Sequence, residues 1–438
     1  NIRFFFDMLA GQKSLVHVAI LYRNFDELKE FDDEIVTGKD DLQRSALHLI
    51  SSWGQTYPRL EVQKNLTGYV IQADREFSGS LETQEYIKTL SLLLNKCEIF
   101  DRDDLFKITP LGYARESKCL GAEMELLQSG KLPLEQSYNA SDRVNILYYS
   151  ALLGYEKVVK MFNDGSSAFK EEVNFTTDID FQTPLLIASL KEHTMVVEHL
   201  VKCGAEIDRT DENGRTPLYV VAERGYEKAV ECLAKCGAEI NRADKDGQTP
   251  LYVASLNDHH GTVSCLLKNE AEINLADYNG RTPLYIASSN GHKETVSCLL
   301  TSKTKINLAD HNGQTPLHAA SSKGHEIIVE CLVEGGTKVD GIDNNGRTPL
   351  YGASKNGYEK IVEYLVKCGA EINRADTDGK TPLHVASLNG QEGTVRYLLK
   401  YQAETNHADN DGQTPLHAAS SNGHKKIIEC LVKHGADK

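Results

Sequence analysis

Apolar and polar positions recur with one fixed period along the second half of the chain. Within one period, polar residues precede Thr282-Pro283-Leu284-Tyr285, a run of small residues ends at Gly291, and apolar residues return at helical spacing from Thr295 to Leu300. A first helix is predicted to begin at Pro283, because Thr is a good capping residue and Pro suits the first helical position. Gly291 suits a left-handed helix end, and a second helix is predicted after it.

The tripeptide Thr-Pro-Leu gives this period its length. It occurs eight times, always 33 residues apart, at Thr183, Thr216, Thr249, Thr282, Thr315, Thr348, Thr381 and Thr414. A fixed period of this length is typical of a solenoid, in which stacked units build one continuous core because no unit can bury its apolar face alone. Turn residues such as Asp277 and Gly280 predict a projecting hairpin before each Thr.

The order Asp, two residues, Gly, one residue and Thr-Pro-Leu-(Tyr/His) closely resembles the ankyrin repeat. The resemblance implies an all-α fold, a solenoid of about twelve stacked helix-turn-helix units with projecting β-hairpins. It also implies a non-catalytic scaffold that binds a partner protein through a concave groove and its hairpin fingers.

The regularity of the repeat divides the chain into two regions. Residues 178–438 contain eight regular repeats, whereas residues 1–177 contain degenerate units that begin near Ser14, Ser45, Thr109 and Asn145. An insertion is predicted near 53–83, and residues 40–103 form either one unit with this insertion or two units. The last regular unit has no polar cap of the kind that a solenoid needs for solubility, so the array is expected to be truncated at residue 438.

The charge of the chain narrows the class of partner. The formal net charge is −15 and the isoelectric point is near 5.5, which argues against nucleic acid as a partner because non-specific nucleic-acid affinity depends on concentrated Lys and Arg. No stretch approaches the roughly 20 consecutive apolar residues that span a bilayer, so no membrane contact is expected within these residues.

The ten cysteines favour a reducing compartment. Most of them follow the repeat, and equivalent helices of adjacent units lie about 8–10 Å apart, which is too far for a disulfide. We therefore expect free, buried thiols and a cytoplasmic or nuclear protein. Three glycosylation-type sequons, at Asn65, Asn139 and Asn174, are the observation against this location.

Several short motifs imitate functional sites. Gly379-Lys380-Thr381 looks like the end of a phosphate-binding loop but lacks the required Gly at position 374, and the acidic run 409–412 lacks two calcium-ligand positions. Histidines replace Tyr after Thr-Pro-Leu at His318, His384 and His417, where a structural role is expected because no zinc-type cluster surrounds them. No catalytic residue, metal site or cofactor is predicted.

Binding residues are expected at the positions that the repeat leaves variable. The residue before each Thr is never acidic, and this row could present a neutral-to-positive edge to an acidic or polar protein segment or could merely solvate the hairpins. Hairpin tips and two leucines at the exposed end of the first helix complete the predicted set. The predicted binding residues are Arg215, Gln248, Arg281, Gln314, Arg347, Lys380 and Gln413 in the row, Tyr278 and His311 at the tips, and Leu256 and Leu388 on the helices.

The sequence therefore predicts a non-catalytic protein-interaction scaffold or adaptor. The alternative is the cytosolic ankyrin segment of a larger membrane channel, or a secreted ankyrin-repeat effector or toxin.

Overall fold

The computed structural model describes residues 62–65, 68–71, 127–128, 140–162, 172–177 and 182–437 of the chain. These residues belong to two compact units, one that reaches Glu212 and one from Asn213 to Lys438. The predicted boundary between residues 177 and 178 concerns the regularity of the repeat rather than compactness, and it stays a prediction.

The described part of the first unit includes three short strands and two helix pairs. Strands β1 (Val62–Asn65) and β2 (Gly68–Ile71) are antiparallel and lie in the insertion predicted near 53–83, and β3 (Thr176–Thr177) pairs with β2 in parallel. The helices are α1 (Ala140–Leu153), α2 (Glu156–Met161), α3 (Pro184–Leu190) and α4 (Thr194–Lys202).

The pair α1 and α2 covers the residues of the degenerate unit predicted at Asn145, and the assignment of these helices to an ankyrin-type unit stays a prediction. The units predicted near Ser14, Ser45 and Thr109 lie outside the described residues, as does most of 40–103. The total of about twelve repeats therefore stays a prediction.

The second unit is a regular array of helix pairs. Every first helix begins at the Pro of Thr-Pro-Leu: α5 (Pro217–Glu223), α7 (Pro250–Leu256), α9 (Pro283–Asn290), α11 (Pro316–Lys323), α13 (Pro349–Asn356), α15 (Pro382–Leu388) and α17 (Pro415–Ser421). The second helices are α6 (Glu227–Lys235), α8 (His260–Lys268), α10 (Lys293–Thr301), α12 (Glu326–Glu334), α14 (Glu359–Lys367), α16 (Glu392–Lys400) and α18 (Lys425–Lys433).

The helix ends confirm the local sequence signals. The hydroxyl of Thr282 accepts a hydrogen bond from the backbone N–H of Tyr285 at 3.2 Å, which satisfies one of the donors that a helix leaves unpaired at its start. Gly291 ends α9 with a φ of 80°, in the left-handed region that only Gly adopts without strain.

Two of the described repeats keep this left-handed turn without glycine. Glu192 has a φ of 55° and Asp258 a φ of 60°. The Asp258 carboxylate accepts a hydrogen bond from the hydroxyl of Thr295 in the next repeat at 2.8 Å, whereas the structure gives Glu192 no comparable side-chain bond. Only Asp258 therefore has an inter-repeat contact that offsets the strain.

Replacing Glu192 with Gly is expected to stabilise α3 and α4 by about 0.5–1 kcal/mol, because the left-handed strain is relieved. Native-state hydrogen exchange of the amides in these two helices would measure the change. Asp258→Gly is the matched control, and it should give no gain because it also loses the bond from Thr295. Equal stabilisation by both substitutions would contradict this explanation.

The core of the second unit lies between the two helical layers. First helices contact the first helices of neighbouring repeats, and second helices contact second helices. The residues that face inward, such as Leu284, Ala287, Val296 and Leu299, are fully buried. Each repeat therefore depends on its neighbours for burial, as the period predicts.

A polar ladder joins the repeats at the base of the loops. The side-chain carbonyl of Asn274 accepts a hydrogen bond from the backbone N–H of Lys305, 31 residues later, at 2.9 Å. The same contact, with distances of 2.9–3.0 Å, recurs from Asn241, Asn307, Asp340, Asn373 and Asn406. Each repeat therefore fixes the loop of the next.

Two expectations about local structure need correction. The loops at residues 213–437 contain closed turns but no β-strand, so the predicted β-hairpins are not confirmed. Of the eight described repeat cysteines, only Cys203 and Cys232 are buried, and Cys368 is exposed. The recurring Cys precedes the core Leu of the second helix and lies on the flank of that helix, which explains the partial exposure.

No helix among the described residues is long and apolar enough to cross a bilayer.

Candidate binding surface on the finger loops

The loops between the second helix of one repeat and the first helix of the next are here called finger loops. In the second unit they are residues 236–249, 269–282, 302–315, 335–348, 368–381 and 401–414. Within the loop 269–282, the Asp277 carboxylate accepts hydrogen bonds from the backbone N–H groups of Asn279 at 3.0 Å and Arg281 at 2.9 Å. Asp277 therefore closes the turn, which makes it a structural residue.

A backbone ladder aligns the tips of the finger loops. The N–H of Tyr278 donates to the carbonyl of Asp246 at 3.0 Å, and the N–H of His311 donates to the carbonyl of Asn279 at 2.9 Å. Equivalent bonds place one tip per repeat in a row. The tip residues are Lys245, Tyr278, His311, Asn344, Thr377 and Asn410. The predicted residues Tyr278, with 70 % of its surface exposed, and His311 are brought together in this row.

The predicted cations before each Thr all have a carboxylate in their own or the next repeat. Arg281 donates to Asp277 with its Nε at 2.8 Å, and its Nη2 lies 2.6 Å from the same oxygen. Arg347 lies 3.9 Å from a carboxylate oxygen of Asp376, with its guanidinium 5.6 Å from the Tyr351 ring centre. The remaining pairs are Arg215 with Glu223 at 3.6 Å and Lys380 with Asp378 at 3.9 Å.

The Arg281 pair changes the ionisation of Asp277. Burial acts to raise the pKa of this carboxyl, but hydrogen bonds from the Arg281 side chain and from the backbone of Arg281 and Asn279 outweigh burial and lower the pKa. Asp277 therefore stays ionised and holds Arg281 in place. Much of the positive charge in this row is neutralised within the protein.

Tyr and His side chains tie each first helix to the following finger loop. The hydroxyl of Tyr252 donates to Asp277 at 3.1 Å, and the hydroxyl of Tyr219 donates to Asp244 at 2.8 Å. Tyr285 occupies the same position in its repeat, and its hydroxyl donates to the predicted residue Gln314 at 3.4 Å. Burial raises the pKa of Tyr285 to about 12. These hydroxyls stay protonated and act as structural donors.

The histidines at this position make the equivalent tie in a defined tautomer. His318 Nδ1 accepts the backbone N–H of Thr315 at 3.1 Å, and its Nε2–H donates to the carbonyl of Arg347 at 3.0 Å. His384 repeats the arrangement with Thr381 and the carbonyl of Gln413. The structural role predicted for His318 and His384 is confirmed, whereas His417 is exposed and bonds only Thr414 of its own turn. Among the described residues, no group of three His, Cys, Asp or Glu side chains could hold a metal ion.

A protein-family model described as ankyrin repeats (3 copies) matches residues 166–244, 236–310, 295–376 and 368–438. Together these matches span every residue from 166 to 438, which is more than half of the chain. The chain belongs to the ankyrin-repeat family. Ankyrin repeats generally mediate protein–protein interactions, and the family is typically a non-enzymatic scaffold. A search of curated proteins gave no match.

The two predicted leucines differ in exposure although they occupy the same place in their ankyrin repeats. Leu388 has 40 % of its surface exposed, whereas Leu256 is half-buried. Their backbone carbonyls accept hydrogen bonds from the next repeat, from His292 at 3.0 Å and His424 at 3.1 Å. Leu388 is therefore the better placed of the two for a contact outside the chain.

Sequence reasoning missed three exposed residues in neighbouring ankyrin loops. Ile342 is 48 % exposed at a position where the other loops of the unit have Ala, and Lys305 and Lys338 are exposed where most loops have Glu. Comparing each loop with its sister loops, position by position, would have identified all three.

Proposed function

We propose that the second unit is a protein-binding scaffold that receives a partner along the finger loops and the exposed ends of the first helices. The row of tips is the observation that supports this function most strongly. Its backbone ladder holds one side chain per repeat at a fixed spacing, and the exposed side chains include the aromatic ring of Tyr278. A preorganised row lowers the entropy that binding would otherwise cost.

The chemistry of the row favours a polar segment of the partner. The cations have carboxylates of their own nearby, and the amides of Gln248 and Gln314 are near Tyr hydroxyls, so hydrogen bonding outweighs net positive charge there. The proposed contact residues in the row are Arg215, Gln248, Arg281, Gln314, Arg347, Lys380 and Gln413.

Tyr278 and Leu388 are the proposed anchors of the interface. Aromatic side chains dominate the binding energy of many interfaces, and an exposed Leu on the first helix can supply apolar contact area. His311 lies in the tip row beside Tyr278, and the half-buried Leu256 is a secondary contact.

The location that we propose, cytoplasm or nucleus, rests on the cysteine spacing. The alternative functions, a cytosolic segment of a membrane channel or a secreted effector or toxin, are favoured by no observation on the described residues.

Photo-crosslinking tests the proposed surface. A photoreactive side chain placed at Tyr278 or at Leu388 is expected to crosslink a partner from a lysate. The same group at Ile327 is the matched control, because Ile327 is similarly exposed, at 51 %, but lies on the second helix α12.

In parallel, affinity capture compares Tyr278→Ser/Leu388→Ser with Ile327→Ser. The first variant should lose the partner by tenfold or more, on the order of 1.4 kcal/mol of binding energy, because it lacks both anchors. Crosslinking from Ile327 alone, or equal capture by both variants, would move the interface away from the finger loops.

A further inference from the structure

Two consecutive finger loops differ from the other loops of the second unit in charge. The loops 236–249, 269–282, 368–381 and 401–414 contain the dipeptide Ala-Glu, whereas the loops between them contain Thr304-Lys305 and Thr337-Lys338 at the equivalent positions. The change therefore replaces an acidic side chain by a basic one in two neighbouring repeats. Both lysine side chains are exposed.

The threonines keep the backbone of these loops in the common geometry. The hydroxyl of Thr304 donates to Asn274 Oδ1 at 3.0 Å, and the hydroxyl of Thr337 donates to Asn307 Oδ1 at 2.6 Å. Lys305 also donates its backbone N–H to the polar ladder, as its sister residues do. The lysines therefore occupy the same place as the glutamates of the other loops, with the opposite charge.

Two of the four glutamates at this position form an ion pair with an arginine of their own loop. Glu239 lies 3.5 Å from Arg242, and Glu371 lies 3.3 Å from Arg374, in each case three residues later. Glu404 lies 3.3 Å from His407, which is charged only when protonated, and Leu275 stands three residues after Glu272. The acidic charge of Glu239 and of Glu371 is therefore partly offset within its own loop.

The lysines have no such neutralising neighbour. The residues three positions later are Leu308 and Gly341, and within residues 182–437 no carboxylate oxygen lies within 4.0 Å of either ammonium group. The exposed Lys303, in the left-handed conformation with a φ of 60°, adds a third positive charge to the first of these loops. The two loops together present a basic patch, Lys303, Lys305 and Lys338, without a carboxylate in direct contact among residues 182–437.

Most of the net negative charge of the chain lies outside the second unit. Residues 213–438 contain 25 Lys and Arg against 28 Asp and Glu, a net charge of −3, so residues 1–212 account for −12 of the total −15. A negatively charged segment approaching the second unit therefore meets almost no net repulsion from that unit.

The spacing of the patch suits an extended chain. Equivalent positions of adjacent repeats lie about 10 Å apart, which is close to the length of three residues in an extended strand. Ile342, exposed four residues after Lys338, adds an apolar contact in the same loop. We propose that Lys305 and Lys338, with Lys303, dock an extended segment of a partner protein that is rich in Asp and Glu. This site lies on the finger loops but uses none of the tip, row or helix residues proposed above as contacts, so it can be tested separately.

Fluorescence anisotropy with labelled octaglutamate tests the proposal on the complete chain, with octaglutamine and an octathymidylate as neutral and nucleic-acid controls. We expect binding of octaglutamate at about 50 mM salt that weakens at about 200 mM, because exposed charge pairs are screened. Octaglutamine should not bind.

The decisive variant is Lys305→Glu/Lys338→Glu, which restores the residue of the sister loops and should fold normally. It is expected to weaken octaglutamate binding by at least about tenfold, since two attractive surface pairs become repulsive. Lys425→Glu/Lys433→Glu changes the net charge equally on the exposed surface of α18 and should leave binding unchanged. Glu371→Lys should strengthen binding, because it extends the row by one repeat.

Circular dichroism and thermal unfolding of each variant separate lost binding from lost folding. Failure of the native chain to bind octaglutamate, equal loss in the two double variants, or tighter binding of octathymidylate would overturn the proposal. Loss of crosslinking at Tyr278 would leave it standing, so the two functional proposals fail independently.

Discussion

Replacing Leu299 with Ala is expected to lower the free energy of local unfolding by about 3 kcal/mol, within the range of about 2–5 kcal/mol that buried Leu→Ala substitutions cost. Leu299 is fully buried in α10, and every second helix of the unit has a fully buried Leu at this position. The loss includes the cavity that the neighbouring repeats cannot fill. In a solenoid the effect should be greatest in the mutated repeat and its direct neighbours.

Native-state hydrogen exchange measures this effect helix by helix. Amides in α7 to α12 should lose protection, while those in α17 and α18 should change little. Cys298→Ala is the matched control, because Cys298 is adjacent in sequence but only half-buried, and it should cost less than about 1 kcal/mol. A uniform loss across the whole unit would show that the repeats unfold as one block.

Acid is expected to destabilise the second unit below about pH 6.5, in proportion to the number of buried His ties. Burial lowers the pKa of His318 and His384, although the Arg347 and Gln413 carbonyls and nearby carboxylates, including Asp343 and Asp409, act in the opposite direction. Protonation would also place a second ring N–H against the backbone N–H that Nδ1 now accepts. The native state therefore favours the neutral imidazole.

The direction of the effect follows from the two states. The unfolded histidines take up protons near pH 6.5, before the folded ones do, so the unfolded state binds more protons as the pH falls. The two neutral histidines contribute their full stabilisation above about pH 6.5. Below that pH, each His lowers the free energy of unfolding by up to about 1.4 kcal/mol per pH unit until its pKa in the folded state is reached.

Substitution of both histidines by Tyr should remove most of this acid sensitivity. Tyr219 and Tyr252 occupy the same position in sister repeats, and their hydroxyls donate to the Asp of the next loop. The variant His318→Tyr/His384→Tyr therefore introduces a side chain that the sister repeats already accommodate. Urea unfolding between about pH 7.5 and 5.5 measures the difference. His311→Tyr, on an exposed tip, is the control and should keep the native pH dependence. An unchanged pH dependence in the double variant would exclude these ties as its cause.

The sequence predicts the repeat well because its signals are local. Thr282 and Pro283 cap and start a helix within one turn, and Gly291 ends it, so no distant residue is needed to place these elements. The pairing of Arg281 could not be inferred in the same way. Asp277 Oδ2 accepts hydrogen bonds both from Arg281 and from Tyr252 of the preceding repeat, and the second of these is a contact between repeats.

The exposure of individual side chains could not be predicted from the local sequence either. Leu256 and Leu388 occupy equivalent sequence positions, yet Leu388 is exposed and Leu256 is half-buried, because neighbouring side chains rather than the repeat pattern decide what covers a residue. The basic patch was recognisable only by comparing sister loops, since a single exposed Lys is unremarkable in any one loop.

The polar ladder from Asn241 to Asn406 makes the array modular in length. Each acceptor meets a donor 31 residues later, so excision or duplication of any 33-residue segment rejoins an acceptor with the same kind of donor. Genetic recombination between near-identical repeats could therefore lengthen or shorten the array without creating a mismatched junction. Such an event would alter the distance between Tyr278 and the basic patch by whole repeats. The array could in this way fit partners of a different length while its core stays unchanged.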